Sequence, residues 1–293
     1  MLDNPWLLVG LPIVNAIMMG AIGLTLEVRD FQAVVRSPRA VGVGLAAHYL
    51  FLPLLGFAIG TLFTHSVDFA VGFVLLAACP SASVSNVVTL LARGNVALAV
   101  TLTAISALVT LVSVPFLVNL AAWWFGGSTH EIHLPVARTV LQLAALVLAP
   151  VVIGMTVRRH APEFARRAEP WITRLSAAAL LAVIITFVAT QGPFVRRSVA
   201  ELGPAALTMS CLGVAGGFLL AWVARLQLPD RITIGIEVGV QNCMLALLIG
   251  LTMLRSIEIS MPVAVYGLLM FLPAAALIGL SRVYGVGNHR RSS

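Results

Sequence analysis

At 293 residues the chain is 60% hydrophobic and only 10% charged, with a mean hydropathy of +1.02. That balance excludes a soluble globular domain, in which about a quarter of the residues would be charged. All 18 basic residues are arginine and the net charge is +7, but the arginines sit in short stretches between apolar runs. This is the positive-inside pattern of a membrane protein, and it argues against a nucleic-acid-binding face.

A helix needs about 20 predominantly apolar residues to cross a bilayer. Nine stretches meet that need, at about 5–26, 39–63, 69–91, 96–124, 134–157, 171–191, 203–224, 232–253 and 259–283. The amino terminus, MLDNPWLLVG, has no basic leader region, and no small-residue cleavage site follows it. The first stretch is therefore expected to be a retained span. The basic run RRHAPEFARRAEP after the fifth stretch is expected to be a loop.

With the loops after the odd-numbered spans and the carboxy-terminal tail on one side, that side holds every arginine except Arg138, Arg196, Arg197 and Arg255. The expected topology is a multi-pass protein of the inner cell membrane, its amino terminus outside and its carboxy terminus cytoplasmic. Trp6, Trp123, Trp124 and Trp171 stand at span ends, as interfacial anchors do. Cys79, Cys211 and Cys243 lie far apart in apolar segments and give neither a disulfide framework nor a metal motif.

Two spans carry polar interruptions. In the third, CPSASVSN puts a proline and small polar residues at membrane depth; in the eighth, IGIEVGVQN puts Glu237, Gln241 and Asn242 there. Gly235 and Gly239 flank the acid and let the backbone leave helical geometry at low steric cost. An ionisable residue in mid-membrane costs about 2.5–3.5 kcal/mol on insertion scales and points to a functional site. Non-helical backbone at depth is tolerated where it lines a cavity or is covered by protein. Paired interruptions in two halves of a chain are the mark of an inverted-repeat transporter.

Glu237 has no arginine at comparable depth, so a cation or proton site is expected around it. Ser85, Asn86 and Thr103 supply neutral oxygens, and broken helices free backbone carbonyls suited to a hard monovalent cation such as Na⁺. Helix starts near Ser85 and Gln241 would aim positive dipole ends into the gap, favouring an anionic substrate. His48, midway along the second span, is either a satisfied core residue or a proton carrier. Gly213, Gly216 and Gly217 allow close helix approach.

The segments MGAIGLTLEVRDF, HYLFLPLLGF, CPSASVSNVVTLLARGNVALAVTLTAISAL and IEVGVQNCMLALLI resemble the bile acid:sodium symporter family over essentially the whole chain. The resemblance implies a chain that begins at the second of the family's usual ten helices. It also implies inverted repeats with two broken, crossing helices. A panel (5–35 and 134–192) would pack against a core (39–125 and 203–283) in one transmembrane unit. One Na⁺ would bind at Ser85, Asn86, Thr103 and Glu237. A second would bind at Glu237, the Val238 and Val240 carbonyls and Gln241. Ser83, Asn86 and Asn242 would face the substrate.

The chain departs from the family at several positions. His48 stands where the resemblance places a glutamine ligand, and Ala99 where it places a serine. Ser81-Ala82 replaces a glycine pair, and Pro273-Ala274 replaces a His-Asn pair. One ligand at each sodium position is thus altered, which leaves one or two ions open.

The expected function is sodium-coupled symport of a small organic anion by alternating access. Sodium-independent or proton-coupled carriage of the same anion is the alternative within this fold. An enzyme is not expected, since no nucleophile is arranged with a base and an orienting partner. A membrane-embedded enzyme or a channel is the alternative of another class.

Overall fold

The computed structural model describes residues 9–27, 37–127, 133–190 and 192–283. Expectations resting on Trp6, Arg29, Arg36, Gln191, Arg290 and Arg291 lie outside those residues. The described chain is helical: α1 (Leu11–Thr25), α2 (Pro38–Phe63), α3 (Val67–Ala78), α4 (Val84–Leu91), α5 (Val96–Gly126) and α6 (Val136–His160). It continues with α7 (Pro162–Thr190), α8 (Gly192–Val223), α9 (Leu228–Gly239), α10 (Cys243–Met253), α11 (Ile257–Leu269) and α12 (Phe271–Val283).

Five stretches are long and apolar enough to cross a membrane: α2, α5, α6, Val199–Val223 within α8, and Ile257–Arg282, which α11 and α12 form together. The helices α1, α3 and α10 are apolar but shorter. Large apolar side chains such as Leu54, Leu62, Leu141 and Ile153 lie exposed on these helices. In a bilayer that exposure carries no hydrophobic penalty, because lipid tails are as apolar as leucine. The chain is an all-α, multi-pass membrane protein.

Local chemistry sets the helix ends. Ser66, Asn95, Asn242 and Ser256 each accept a hydrogen bond from a backbone N–H three residues on, and so cap α3, α5, α10 and α11. The turns α4–α5, α8–α9 and α10–α11 each place an arginine in the left-handed region: Arg93 (φ 58), Arg225 (φ 55) and Arg255 (φ 51). At Arg93 and Arg225 the turn closes by Gly94 N–H to Thr89 O and Leu226 N–H to Ala221 O, which satisfies carbonyls the helix leaves open.

The run RRHAPEFARRAEP is not a loop. After α6 ends at His160, α7 restarts at Pro162, where a missing N–H is harmless. Alanine, glutamate and arginine then favour helix, and Glu163 pairs with Arg166 one turn on.

Two close approaches set the packing. A Cβ on Gly23 would lie 2.2 Å from Val151 O, and one on Gly154 would lie 2.3 Å from Gly20 O, so α1 and α6 touch through backbone. Between α8 and α9, a Cβ on Gly217 would meet Ile234 O at 2.8 Å, and one on Gly239 would meet the Val214 side chain at 2.2 Å. Gly235 and Gly239 therefore serve packing; both lie within α9, and neither has a positive φ. Gly216 faces the Phe51 ring in the same way, and Gly213 makes ordinary contact with Gly239. The helices α6 and α7 both pack against α1, and α1 also reaches α10.

Prolines unwind two helices into π-helical turns. Ala47–Phe51 precedes Pro53 in α2, and Ala144–Leu148 precedes Pro150 in α6. A proline cannot donate to the carbonyl four residues back, so Tyr49 O and Leu146 O lose their usual partner. A third π turn, Ile249–Met253, ends α10.

Candidate functional site

The two polar interruptions meet. Between α3 and α4 the chain is extended at residues 79–82, and between α9 and α10 at residues 240–242. They pair as a short antiparallel bridge, Ser81 opposite Gln241, in which Ala82 N–H donates to Val240 O at 3.0 Å and Asn242 N–H to Pro80 O at 2.9 Å. Each break thus satisfies part of the other's backbone. Neither would be tolerated alone in a low-dielectric interior.

The remaining open carbonyls find side-chain donors. Ser113 Oγ donates to Ala78 O at 2.8 Å, with Thr110 Oγ1 3.4 Å from the same oxygen. The His48 ring nitrogen Nε2 lies 2.9 Å from Cys79 O. Tyr266 O–H donates to Gly239 O at 2.8 Å, and Gln241 Nε2 donates to Val238 O at 2.8 Å. His48 is buried at the π turn of α2, and Tyr266 on α11 is fully buried.

Glu237, 2% exposed, comes from the last turn of α9. Its carboxylate accepts hydrogen bonds from Ser81 Oγ (2.6 Å), Thr103 Oγ1 (2.9 Å) and Ser85 Oγ. Its hydrogen-bond donors are hydroxyls from three segments, the first break, α4 and α5. Asn86 stands at the margin, its Oδ1 3.5 Å from Thr103 Oγ1. The residues expected at the first sodium position are therefore together, with Ser81 added. Ala99 is fully buried one turn before Thr103 on α5, and presents a methyl where the resemblance places a hydroxyl.

Around the second position, the Val238 and Val240 carbonyls already accept from Gln241 and Ala82. A carbonyl has a second lone pair, so each can still face a cation. Gln241 bears on this directly. Its Nε2 is fixed by Val238 O, which leaves Oε1 buried without a partner. A buried orphan acceptor costs about 1–3 kcal/mol, and a cation would satisfy it.

Asn242 is the mirror case. Its Oδ1 caps α10 by accepting from Leu245 N–H at 3.0 Å, and its Nδ2 is a buried donor without a partner. Ser83 is half-buried at the start of α4 and makes no capping bond with its side chain.

An apolar cavity of about 150 Å³ lies between Leu26, the α5 residues Ala104, Ala107 and Leu108, and α6 from Val147 to Met155. It shares Leu26, Val152 and Met155 with a wider cavity of about 790 Å³ that reaches Glu27, Arg158 and Arg159. Arg158 donates from Nε and Nη2 to Glu27 Oε1 there, at 3.2 and 3.1 Å.

The sequence reading missed three parts of this site. Ser81, in sequence a departure from a glycine, is a direct donor to Glu237. Tyr266 and the Thr110–Ser113 pair cap the broken helices from segments that read as plain apolar spans. Nothing in their local pattern marks them.

Comparison with known proteins adds a family. The family model described as "Sodium Bile acid symporter family" matches residues 12–197. The chain is 31% identical over 266 residues to a rice protein named probable sodium/metabolite cotransporter BASS2, chloroplastic, covering 89% of this chain and 61% of that one. It is 30% identical over 238 residues to a Bacillus subtilis protein named uncharacterized sodium-dependent transporter YocS, covering 81% of this chain and 72% of that one. With the rat sodium/bile acid cotransporter 5 it shares 28% identity over 229 residues, 78% of this chain and 52% of that one. The chain thus spans about three fifths of the rice relative's length and about half of the rat relative's.

Proposed function

Because the chain belongs to the sodium bile acid symporter family, a family of transporters and not of enzymes, we propose that it is a sodium-coupled symporter of a small organic anion. The observation that carries this reading is the buried Glu237 carboxylate, ringed by the hydroxyls of Ser81, Ser85 and Thr103. A hydroxyl carries one donor and two lone pairs. Each can donate to the carboxylate when no ion is bound, and can turn an oxygen toward Na⁺ when one enters. Hard oxygen donors around one carboxylate suit a monovalent cation, and the ion's charge offsets the cost of the buried acid. Na⁺ here is cargo, moved with the anion.

The first ion would sit among Ser85, Asn86, Thr103, Glu237 and the added Ser81. A second would use Glu237 and the orphan Gln241 Oε1 with the Val238 and Val240 carbonyls. The first position draws side chains from both breaks, and the second uses a carbonyl, Val240 O, that the first break already holds through Ala82 N–H, so ion binding would order the crossover. Asn242 Nδ2, with Ser83 and Asn86 following the break that pairs with it, would take the acidic group of the substrate.

Transport would proceed by alternating access. In this reading α1, α6 and α7 form the panel, residues 39–125 and 203–283 form the core, and the apolar cavity runs along their seam. Nine spans in inverted repeats fit the element order. The second half of each broken helix ends on a left-handed arginine, Arg93 or Arg255, followed by an Asn95 or Ser256 cap. The carboxy terminus is assigned to the cytoplasm and the amino terminus to the outside of the inner cell membrane.

Uptake into proteoliposomes under an inward Na⁺ gradient tests the proposal. Glu237→Gln is expected to abolish concentrative uptake. Wild-type accumulation by that variant would sink the site assignment, and accumulation by the unmodified chain without Na⁺ would favour a sodium-independent or proton-coupled carrier.

A further inference from the structure

Asn15 is fully buried in the second turn of α1, a helix of otherwise apolar residues and glycine, closed by Thr25. One end of its side chain has a structural task. Pro150 has no N–H to offer Leu146 O, and Asn15 Nδ2 donates to that carbonyl at 2.8 Å. This bond fixes the amide's orientation, because only the nitrogen can face a carbonyl. The other end, Oδ1, is then an acceptor, and it is buried without a partner. Capping the π turn accounts for half of this side chain and leaves an oxygen that the fold does not use.

A second amide shows the complementary defect. Asn242 Oδ1 is fixed by Leu245 N–H, so its unpartnered atom is the donor Nδ2. Asn242 is the N-cap of α10, and α10 packs against α1. The cavity at the seam is lined by Val147 and Leu148, from the same π turn that Asn15 caps. One open acceptor on the panel side and one open donor on the core side therefore belong to helices in contact.

We propose that Asn15 is a specificity residue: its Oδ1 accepts a hydrogen bond from a hydroxyl or ammonium group on the transported anion while Asn242 Nδ2 holds the acid group. The inference rests on the symport reading and narrows it. The substrate class becomes small anions that carry a hydrogen-bond donor near the acid, such as hydroxy acids and amino acids, in preference to plain carboxylates. Full burial of Asn15 means that it meets the substrate as core and panel part, so discrimination belongs to the moving step. A site built to pair a donor rejects an analogue lacking it, because its own acceptor is then left open.

The test compares carboxylates differing by one hydroxyl, lactate against propionate and hydroxyisovalerate against isovalerate. It measures thermal stabilisation of the purified chain with and without Na⁺, and then uptake in proteoliposomes. The hydroxylated member is expected to bind about tenfold more tightly. Asn15→Ala is expected to remove that preference while its uptake of the unhydroxylated member persists, which also shows that the variant folds. Equal, Na⁺-dependent binding of both members by the unmodified chain overturns the role of Asn15 and leaves the symport reading intact. A preference retained in Asn15→Ala overturns it equally, since the oxygen then served only a buried water. Absence of any Na⁺-dependent binding overturns both readings.

Discussion

A buried carboxylate with three hydroxyl donors can be read as a satisfied structural group or as an ion site at rest. Its neighbours decide between these readings by what they do when one is removed. Ser81 is the informative one, because its hydroxyl bonds both the carboxylate and Thr103 Oγ1. Ser81→Ala removes one oxygen worth about 1 kcal/mol, so the half-saturating Na⁺ concentration in uptake assays is expected to rise about fivefold. An unchanged Na⁺ titration would show that Ser81 merely fills the break. His48 poses the companion question. Imidazole is a poor Na⁺ ligand beside carbonyl and carboxylate oxygens. The double change His48→Gln with Ala99→Ser supplies oxygens at both altered positions, and a steeper, tighter Na⁺ dependence is expected. If the titration does not move, His48 acts through Cys79 O as a clamp on the α3 end and takes no part in ion binding.

At the scale of elements, each interruption is stable because the other exists. The bridge between residues 80–82 and 240–242 replaces hydrogen bonds that either helix would have made alone, and Tyr266, Ser113 and His48 cover what the bridge leaves open. The helices outside the breaks are held by backbone contact, most tightly α1 against α6. Gly154→Val forces a side chain into the Gly20 carbonyl, an overpacking that costs about 1–3 kcal/mol. The variant is expected to lower the apparent melting temperature in detergent. Gly42→Val, whose Cβ would meet open space on α2, is expected to leave it unchanged. Equal melting of the two variants would mean that the α1–α6 seam adapts, and the panel would then lack the rigidity proposed for it.

Across the whole molecule, the proposed motion is a rocking of core against panel along the apolar cavity. Leu108 on α5 and Leu148 on α6 line that cavity from its two sides. Spin labels at Leu108→Cys and Leu148→Cys are expected to change their separation when Na⁺ and substrate are added together. A distance distribution indifferent to both would argue for a fixed pore and against alternating access.

The sequence alone determined the membrane class, the helical character and the two interrupted segments, because each depends on local composition. Twenty apolar residues require a helix in lipid, and CPSASVSN and IGIEVGVQN are polar enough to be conspicuous within such runs. Glu237, Ser85 and Thr103 could be named as candidate cation-binding groups, and the resemblance assigned them to one site. Their convergence depends on two breaks 156 residues apart meeting each other, as the Ser81–Glu237 bond does. Tertiary structure alone decided the rest. Glycines that looked like sites of backbone freedom turned out to be contact points, because α8 lies against their missing side chains. The basic run after the fifth span is helical, since its composition favours helix and proline restarts it. Tyr266 and Asn15 gained roles from carbonyls freed on other helices, at Gly239 and Leu146. A freed carbonyl has no signature in the sequence near its donor, and only packing brings the two together.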